Sequence, residues 1–484
     1  MLSETLPPDA AYAALQAHDA RFDGRLYVGV TSTGIYCRPV CRVRLPRREN
    51  CRFFSTAAQA EAERFRPCMK CRPELAPRAL PWTTMDASRT LAQQAAAWLD
   101  ACDDAEASVE DLAQHLGITS RHLRRIFQVE HGVSPLQYLQ TRRLLLAKAL
   151  LTDSTLPVQE VAYAAGFASL RRFNSAFVEH YRMQPTALRR EGGGSAPASR
   201  LRLSYREPYD VAGVLAFLAP RAVAGVEVVD ERGITRTLAL THAGERHAGW
   251  LRASFDKAGE VGVELSPALW PAAGSLLPLL RRWLDLDADP AAIAAALANG
   301  PGEGAVPGQR LPGCLDRFEL TVRAVLGQQV TVAAARTLAG RFVERFGDPL
   351  ADAPPGCGRL FPAPERIAAA TRDDIASLGI IGRRADSLIA LAQAWPALAF
   401  ARGDGNPEAA AQELTAIPGI GPWTAGYMLM RGWSWPDAFP PGDVVLRKAL
   451  SGPGPLLSAK AYLEAAEHYR PYRSYAVLHL WRNS

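Results

Sequence analysis

The sequence contains no run of about eighteen uninterrupted apolar residues, the length that a membrane-spanning helix requires. Its N-terminus also shows no basic segment leading into an apolar stretch, so the pattern of a secretory signal is absent. We therefore expect neither membrane insertion nor secretion, and we place the chain in a reducing cytoplasm, where disulfides are disfavoured.

What the sequence has is length and apolar content. Its 484 residues exceed what one hydrophobic core usually organises, and 48% of them are hydrophobic. We therefore expect several globular domains. From about Ala268 to the C-terminus, Ala- and Leu-rich stretches repeat with helical periodicity, so the fold is predicted to be mainly α.

The positive charge is concentrated in two stretches. Residues 37–72 hold ten Lys/Arg against three Asp/Glu, and residues 121–190 hold eleven against four. Since the formal net charge of the chain is only +6, the rest of it is net acidic. Basic patches of this kind favour nucleic-acid phosphates, with solvated surface arginines as the alternative.

Two compositional breaks divide the chain. The first is the Pro/Arg-rich stretch from Arg72 to Pro81, and the second, residues 191–199, predicts a flexible linker because it can bury little apolar surface. After the linker, short β-rich runs alternate with turns and predict an antiparallel sheet. These runs are Val211 to Leu218, Ala222 to Val229, Ile234 to Leu240 and Trp250 to Phe255. Residues 300–312 are predicted to be a loop between helices.

Four of the eight cysteines have the spacing of a zinc site. They are paired as Cys37-x3-Cys41 and Cys68-x2-Cys71. Four thiolates can close a tetrahedral Zn²⁺ site and stabilise a domain with a small core. We predict one Zn²⁺ bound by these residues, with unpaired structural thiols as the alternative. The remaining cysteines, interpreted as buried and inert, are Cys51, Cys102, Cys314 and Cys357.

The residues around these cysteines closely resemble the Ada-type methyl-acceptor domain. The resemblance rests on residues 27–41, 48–54 and 65–73, including Gly-Ile-Tyr-Cys37-Arg-Pro-Val-Cys41 and Phe-Arg-Pro-Cys68-Met-Lys-Cys71. It implies that Cys37 is both a zinc ligand and the nucleophile that takes a methyl group from a methylphosphotriester in DNA. Phosphate contacts are expected from Arg38, Arg42, Arg44, Arg47 and Arg48.

This chemistry is reasonable in its own right. Zinc keeps a thiolate deprotonated at neutral pH, and a zinc thiolate can displace a phosphate ester from methyl carbon. No regeneration step is evident, so each molecule is expected to act once. Methylating one sulfur removes one negative charge from the site, and our hypothesis is that this change tightens DNA binding. A purely architectural zinc site is the alternative.

Two copies of a helix-turn-helix pattern lie between the two breaks. In each copy an apolar stripe ends at a glycine, Gly117 or Gly166, and a capped second helix follows. Two such helices can enter neighbouring segments of the major groove. The outward side chains predicted to contact DNA are Arg121, Arg124 and Arg125 in the first copy and Arg171, Arg172 and Asn174 in the second.

The second copy resembles the AraC-type DNA-binding domain. The resemblance rests on residues 166–177 and 181–186, and the domain is expected to cover about Asp103 to Arg190. It implies a bacterial transcription activator with promoter DNA and, we expect, RNA polymerase as partners, associated with the nucleoid. The arginines can meet either bases or phosphates, since both roles use the same side chain.

The C-terminal half contains a Pro-Gly-Ile-Gly turn between two predicted helices, within residues 414–427. Such a turn exposes successive backbone N–H groups at a helix N-terminus and can bind phosphate. Asp443 follows in Phe-Pro-Pro-Gly-Asp443-Val-Val-Leu-Arg-Lys, just ahead of a helical run. Taken alone, Asp443 is more often a helix N-cap than a catalyst. Combined with the hairpin, it is predicted to be catalytic.

Together these segments match the helix-hairpin-helix glycosylase superfamily, and within it the chain is most similar to the AlkA-type 3-methyladenine glycosylase II. Further matches lie at residues 312–319, 323–329 and 472–481. Bifunctional relatives carry a Schiff-base lysine where Trp423 stands, so no lyase activity is expected. The family often has tryptophan in place of Tyr472 and an apolar wedge in place of Gln329.

The resemblance implies extrusion of the damaged nucleotide and loss of its base through an oxocarbenium-like sugar stabilised by Asp443. The candidate base pocket is Trp423, Tyr427 and Tyr472, which could stack on a cationic base; plain core is the alternative. Further DNA contacts are expected from Gln328, Gln329, Gly419, Gly421 and Thr424. The carbonyls of Thr415, Ile417 and Ile420 are a candidate monovalent cation site.

The predicted architecture is therefore multidomain and mainly α. It consists of a small α+β zinc domain (1–78), an AraC-type double helix-turn-helix (86–190), a linker (191–199), an antiparallel α+β, TBP-like subdomain (200–270) and an all-α glycosylase domain (271–484). We expect an adaptive-response protein that regulates transcription and repairs alkylated double-stranded DNA. The alternatives are a damage-responsive transcription factor whose glycosylase-like half only holds DNA, and a glycosylase with a constitutive DNA tether. No Pro-Cys-His-Arg signature occurs, so reversal of O6-methylguanine is not expected.

Overall fold

The structure is a computed structural model that describes residues 6–77, 87–101, 108–192, 200–298, 306–403, 406–451 and 454–482. Its contacts divide the chain into two compact units. The first consists of residues 1–207, 240–247 and 256–278, and the second of residues 208–239, 248–255 and 279–484. Cys102, most of the predicted linker and part of the predicted 300–312 loop lie outside the described residues.

The N-terminal segment forms a four-stranded sheet with the order β3-β1-β2-β4. Its elements are α1 (Pro8–Gln16), β1 (Tyr27–Val30), β2 (Ile35–Cys37), β3 (Cys51–Phe54), α2 (Ala57–Ala62) and β4 (Arg66–Pro67). β1 pairs antiparallel with β2 and β3, whereas β2 pairs parallel with β4. Tyr36 is paired with Pro67, so the residues that follow them, Cys37 and Cys68, emerge from parallel strands at the same end.

The described part of the predicted double helix-turn-helix region contains seven helices. They are α3 (Ala87–Ala101), α4 (Val109–His115), α5 (Ser120–His131), α6 (Pro135–Asp153), α7 (Val158–Ala164), α8 (Leu170–Tyr181) and α9 (Pro185–Gly192). Gly117 and Gly166 have φ of 67° and 82°, the left-handed conformation that ends a helix. Thr119 and Ser169 cap α5 and α8 with their side chains. The predicted pattern is confirmed, and α9 takes in the first two residues of the predicted linker.

A buried ionic network within the first unit joins the turn after Cys71 to α6. The guanidinium of Arg72 donates to the two carboxylate oxygens of Asp153 at 2.6 and 2.8 Å and to Glu74 at 2.8 Å. Lys148 Nζ lies 2.6 Å from both oxygens of Glu74, and both side chains are only 2% exposed. Charges buried so deeply persist only when paired. This network therefore fixes the cysteine-rich segment against the long helix of the helix-turn-helix region.

A second polar contact links the cysteine-rich segment to α6. Tyr36, which precedes Cys37, donates its hydroxyl to Glu61 Oε1 at 3.0 Å. Thr141 of α6 also lies close enough to Glu61 to act on the pKa of its carboxyl group, which it lowers. Burial raises the pKa of Glu61 to about 8, so its carboxyl group is largely protonated at neutral pH.

The predicted antiparallel sheet is present, with the strand order β5-β9-β8-β7-β6. The strands are β5 (Arg200–Ser204), β6 (Glu227–Asp230), β7 (Gly233–His242), β8 (Glu245–Lys257) and β9 (Glu260–Leu265). β5 pairs antiparallel with β9, and β6 pairs antiparallel with β7. The predicted runs from Ile234 and from Trp250 lie in β7 and β8.

The first predicted β-run was wrong. Val211–Leu218 is a helix, α10, and Asp210 begins it by accepting a hydrogen bond from Gly213 N at 2.9 Å. Val214 and Leu218 are buried one turn apart, so the run has one buried helical face although its composition suits a strand. In the second run only residues 227–229 are in β6, because Gly225 turns the chain with φ 85°.

Helices dominate the rest of the chain, as predicted. They are α11 (Ala273–Trp283), α12 (Pro290–Ala298), α13 (Arg317–Leu326), α14 (Val332–Phe346), α15 (Pro364–Ala368), α16 (Arg372–Ala376), α17 (Gly382–Ala394), α18 (Ala399–Arg402), α19 (Pro407–Thr415), α20 (Pro422–Gly432), α21 (Val444–Ser451), α22 (Ala459–Ala466) and α23 (Arg473–Arg482). The large core of the second unit draws buried side chains from α13, α14, α17, α20 and α23.

Candidate metal centre and candidate active site

The four predicted zinc ligands form one cluster. The sulfur atoms of Cys37, Cys41, Cys68 and Cys71 all lie within 4.8 Å of one another. Zn–S bonds of about 2.3 Å in a tetrahedron place sulfurs roughly 3.8 Å apart, so the cluster has the size that Zn²⁺ needs. The Cys68 amide donates to the Tyr36 carbonyl at 2.9 Å, which ties the two halves of the cluster together.

The thiols in this cluster perturb one another. The hydrogen bond with Cys41 is the largest of the effects that raise the pKa of Cys37, whereas the hydrogen bond with Cys37 lowers the pKa of Cys68. Four sulfur atoms this close together cannot all carry negative charge without a cation between them. A divalent, sulfur-preferring ion therefore fits the donor set.

Arg38 does not have the surface position that was predicted for it. Its side chain is 8% exposed and forms an ion pair with Asp23, with Nε 2.8 Å from Oδ1. The same guanidinium donates to the Cys71 carbonyl at 3.1 Å, and the Arg38 amide donates to Cys71 Sγ at 3.4 Å. The charge of Arg38 is paired inside the protein, and its hydrogen bonds to Cys71 support the metal site. The prediction that Arg38 contacts a phosphate is therefore corrected.

The other predicted arginines of this segment remain accessible. Arg42, Arg44 and Arg47 are exposed, and Arg48 is half-buried. A small apolar recess of about 10 Å³ touches Cys37 and Cys41 and is lined by Leu15, His18, Val28, Val30, Val43, Leu45 and Pro46. Cys37 itself is 6% exposed. Part of the surface next to the cysteine cluster is therefore apolar.

The two second helices of the helix-turn-helix region present their basic residues outward. Arg121, Arg124 and Arg125 are exposed on α5, although Arg124 also forms an ion pair with Glu110 at 2.8 Å. On α8, Arg171 and Arg172 are exposed and Asn174 is half-buried. These positions agree with two recognition helices.

The Pro-Gly-Ile-Gly turn joins α19 to α20 as a helical hairpin. Gly419 has φ 86°, and a Cβ at this position would lie 2.0 Å from Ser387 Oγ, so only glycine fits. Gly421 is the N-cap of α20, and a Cβ there would have no neighbour within 4 Å. The start of α20 carries no side-chain cap, which leaves its first amides available to a phosphate.

Asp443 lies beside this hairpin and has two roles in the structure. Its Oδ1 accepts a hydrogen bond from Leu446 N at 2.9 Å, so it begins α21 as an N-cap. Its Oδ2 accepts a hydrogen bond from Trp423 Nε1, at the start of α20, at 2.8 Å. Asp443 is 7% exposed, so the carboxylate is buried and held in a fixed orientation.

Two of the predicted DNA contacts are engaged within the protein. Gln328 Nε2 donates to the Gly419 carbonyl at 2.9 Å and to Thr424 Oγ1 at 3.2 Å, and Thr424 is only 4% exposed. These side chains hold the loop before α14 to the hairpin, and their direct contact with DNA stays a prediction. Gln329, by contrast, is exposed and has φ 55°. Arg384 donates to the Gln328 carbonyl and steadies the loop from the other side.

The candidate base pocket brings together two of the three predicted aromatic residues. The rings of Trp423 and Tyr427 are stacked, with centroids 5.5 Å apart and planes 5° apart. Trp481 lies 6.3 Å from Tyr427. The described ring contact of Tyr472 is with Tyr475, at 5.8 Å. The place of Tyr472 in the pocket therefore stays a prediction.

Sequence reasoning missed a cationic group beside this stack. Arg431 donates to the Tyr427 hydroxyl at 2.9 Å and lies 4.8 Å from the centroid of Phe217, over which Arg221 also packs at 4.0 Å. Burial alone raises the pKa of Tyr427, but these arginines and Arg323 lower it overall. The i, i+4 spacing of Tyr427 and Arg431 within α20 is a sequence signal for their hydrogen bond, whereas the packing of Arg431 against Phe217 joins segments that are far apart in the sequence.

The other free cysteines agree with an inert role. Cys51 and Cys357 are buried, and burial raises the pKa of Cys314 to about 11. Nowhere in the described ranges does a helix combine the length and hydropathy that crossing a membrane requires.

Comparison with protein families finds matches along most of the chain. Four family models match: the metal binding domain of Ada at residues 10–74, a helix-turn-helix domain at 112–191, the AlkA N-terminal domain at 200–316 and the HhH-GPD superfamily of base excision DNA repair proteins at 322–469. The predicted resemblances and the predicted fold class are confirmed by these matches.

Individual relatives cover the chain in whole or in part. The "Probable bifunctional transcriptional activator/DNA repair enzyme AlkA" of Mycobacterium tuberculosis is 38% identical over 98% of this chain and 96% of its own length. The DNA-3-methyladenine glycosylase 2 of Escherichia coli is 40% identical over 58% of this chain and 95% of its own length. The "Bifunctional transcriptional activator/DNA repair enzyme Ada" of Escherichia coli is 35% identical over 28% of this chain and 37% of its own length. The chain therefore belongs to the family of bifunctional transcriptional activator/DNA repair enzymes of the AlkA type.

Proposed function

We propose that this protein repairs alkylated DNA by two separate chemistries and activates transcription in response to the damage. The observation that carries the proposal is the joint presence of a closed four-cysteine cluster and a buried carboxylate fixed beside a phosphate-binding hairpin. The first suits methyl transfer to sulfur, and the second suits removal of a base.

At the cysteine cluster, Cys37 is the proposed methyl acceptor and all four cysteines are the proposed Zn²⁺ ligands. A bound zinc ion would keep the sulfurs as thiolates. The Cys37 sulfur attacks the methyl carbon of a methylphosphotriester, the carbon–oxygen bond breaks, and the DNA phosphodiester leaves as an anion. The apolar recess beside Cys37 supports this role because it gives a methyl group a place free of hydrogen-bonding partners.

In the second unit, Asp443 is the proposed catalytic residue. The damaged nucleotide leaves the duplex, its base stacks on the Trp423–Tyr427 pair, and the sugar becomes cationic as the base departs. The Asp443 carboxylate, held by Trp423 Nε1 and Leu446 N, stabilises that charge and needs little reorganisation. Water then completes hydrolysis of the glycosidic bond. No lysine occupies the position of Trp423, which supports a monofunctional enzyme acting on bases such as 3-methyladenine.

DNA binding and regulation complete the proposal. The exposed arginines of α5 and α8 are proposed to contact promoter DNA. The amides of Gly419 and Gly421 are proposed to contact the lesion strand, and Gln329 is proposed to fill the gap in the duplex. RNA polymerase is the proposed partner in activation, and the nucleoid of a bacterial cytoplasm the proposed location. The boundaries 1–78, 86–190, 200–270 and 271–484 remain our proposed domains, and a monovalent cation at the carbonyls of the hairpin remains a prediction.

The test uses the purified full-length protein. We expect one zinc ion per chain, a mass increase of one methyl group on the peptide containing Cys37 after exposure to methylphosphotriester DNA, and release of 3-methyladenine from methylated duplex. Cys37→Ser should abolish the mass increase and leave base release intact. Methyl transfer without base release would favour the alternative of a damage-responsive transcription factor. Base release without zinc or methyl transfer would leave a glycosylase with a DNA tether.

A further inference from the structure

A cleft of about 490 Å³ lies in the second unit, apart from the Asp443 carboxylate and the aromatic stack. It is lined by Ala224, Gly225, Arg336, Thr337, Gly340, Arg341, Glu344 and Arg359. Three arginines face one carboxylate, so the lining is net positive. Gly225 and Gly340 carry no side chain into it, which helps to keep it open.

The arginines of this cleft are available to a ligand. Arg336 is exposed and forms no ion pair or side-chain hydrogen bond with the described part of the chain. Arg341, also exposed, donates to the Leu378 carbonyl at 3.1 Å, and Arg359 donates to the Gly347 carbonyl at 2.9 Å. Carbonyl bonds hold these guanidinium groups in place without neutralising them. The nearby Arg345, by contrast, is ion-paired with Asp374 at 3.2 Å.

Two chain connections bring the cleft close to the proposed base pocket. α14 carries Arg336 and Arg341, and it begins directly after the loop that Gln328 ties to the hairpin. At 1.5 Å per residue, Arg336 lies about 7 Å and Arg341 about 15 Å along the helix from that loop. On the other side, Gly225 follows Arg221, which packs beside the aromatic stack, by only four residues.

We propose that this cleft binds the phosphate backbone of duplex DNA beyond the damaged nucleotide, as a second grip besides the hairpin. Arginine forms bidentate hydrogen bonds with phosphate, and a groove of one sign of charge next to a DNA-reading loop concentrates the backbone there. This inference rests on the proposed glycosylase function, because that function is what places DNA at the loop.

The test is single-turnover excision of 3-methyladenine by the full-length protein, measured against enzyme concentration at several salt concentrations. In the double variant Arg336→Gln/Arg341→Gln, we expect the half-saturating enzyme concentration to rise about tenfold in low salt, with the maximal rate unchanged. The slope of its salt dependence should fall by the amount that corresponds to about two phosphate contacts. Arg345→Gln/Arg366→Gln removes the same charge from exposed positions outside the cleft and should leave the salt dependence unchanged.

Glu344→Gln removes the carboxylate of the lining and should tighten half-saturation, an effect opposite in direction to that of the arginine changes. The single variant Arg336→Gln breaks no described bond, so it tests the cleft without a folding defect. An unchanged half-saturation, a fall in the maximal rate alone, or equal losses in both double variants would overturn the proposal. If the wild type released no base, the proposed function would fail instead, and binding of duplex containing an abasic-site analogue would still test the cleft.

Discussion

Replacing Asp443 with asparagine should separate its two roles. The carboxylate accepts one hydrogen bond on each oxygen, from Leu446 N and from Trp423 Nε1. Asparagine has nearly the same shape but only one acceptor oxygen, and its amide nitrogen is a donor. Because asparagine is as good an N-cap as aspartate, we expect the bond to Leu446 to remain and the bond from Trp423 to be lost.

The expected cost in stability is small. A hydrogen bond to a charged group contributes about 1.5–3 kcal/mol, so Asp443→Asn should lower the free energy of unfolding by about 2 kcal/mol. The expected cost in catalysis is larger. A carboxylate about 4 Å from a cationic sugar, at an effective dielectric constant of about 20, stabilises it by about 4 kcal/mol, which corresponds to roughly a thousandfold in rate.

The assay is release of 3-methyladenine under single-turnover conditions with enzyme in excess, together with denaturant unfolding of the same preparations. Trp423→Phe is the matched control, because it removes the same hydrogen bond and keeps the carboxylate. It should cost similar stability but only about tenfold in rate, corresponding to about 1.4 kcal/mol. If Asp443→Asn kept the maximal rate within about tenfold of the wild type, Asp443 would be an N-cap alone and the proposed mechanism would be wrong.

Four further predictions follow from contacts elsewhere in the chain. The pKa of Glu61 is about 8 in the folded protein against an ordinary value of 4.5, so ionisation of Glu61 opposes folding. The free energy of unfolding should therefore fall as pH rises from 4.5 to 8, and Glu61→Gln should remove that fall in denaturant titrations. Lys148→Met leaves the buried Glu74 paired with Arg72 alone and should cost about 3 kcal/mol, the low end of the range for breaking a buried ion pair. Adding Glu74→Gln should restore part of that loss, and a loss below about 1 kcal/mol would contradict the network. Gly419→Ala meets Ser387 Oγ with φ 86° and should cost about 1–3 kcal/mol, whereas Gly421→Ala should cost less than about 0.5 kcal/mol. Removing zinc by chelation should abolish methyl transfer to Cys37 and leave base release unchanged, because Asp443 is not in the cysteine cluster.

The parts of this protein that sequence predicted well are those in which chemistry dictates spacing. Four sulfurs around one ion constrain where cysteines can stand, and a tight turn into a helix demands glycine at fixed positions, as at Gly117, Gly166 and Gly419. These requirements are local, so they are visible along the chain before any packing is known. The resemblance to known domains rests on the same residues.

The parts that sequence predicted poorly depend on distant partners. Arg38 was expected at the surface with its neighbours, but the carboxylate of Asp23 draws it inside. Val211–Leu218 has the composition of a strand, yet packing of its apolar face makes it a helix. The cleft around Arg336 has no local signature, because it is assembled from several elements. The Arg431–Tyr427 hydrogen bond is an i, i+4 contact within α20, but the packing of Arg431 against Phe217 joins segments that are far apart in the sequence.

The residues next to the metal ligands bear on how methylation could be sensed. Tyr36, Arg38 and Arg72 each adjoin a ligand, and each is committed to a buried partner: Glu61, Asp23 and Asp153, respectively. Two of these contacts continue into α6, through Thr141 and through Asp153 itself. A ligand frame held in this way resists movement, because displacing it would break the Tyr36–Glu61 hydrogen bond and leave the charges of the Arg38–Asp23 and Arg72–Asp153 pairs buried and unpaired. Loss of one negative charge at Cys37 would therefore act on DNA mainly through the electric field at the exposed Arg42, Arg44 and Arg47. If a double variant of Arg72 and Asp153 retained methylation-dependent DNA binding, that result would support the electrostatic mechanism over a mechanical one.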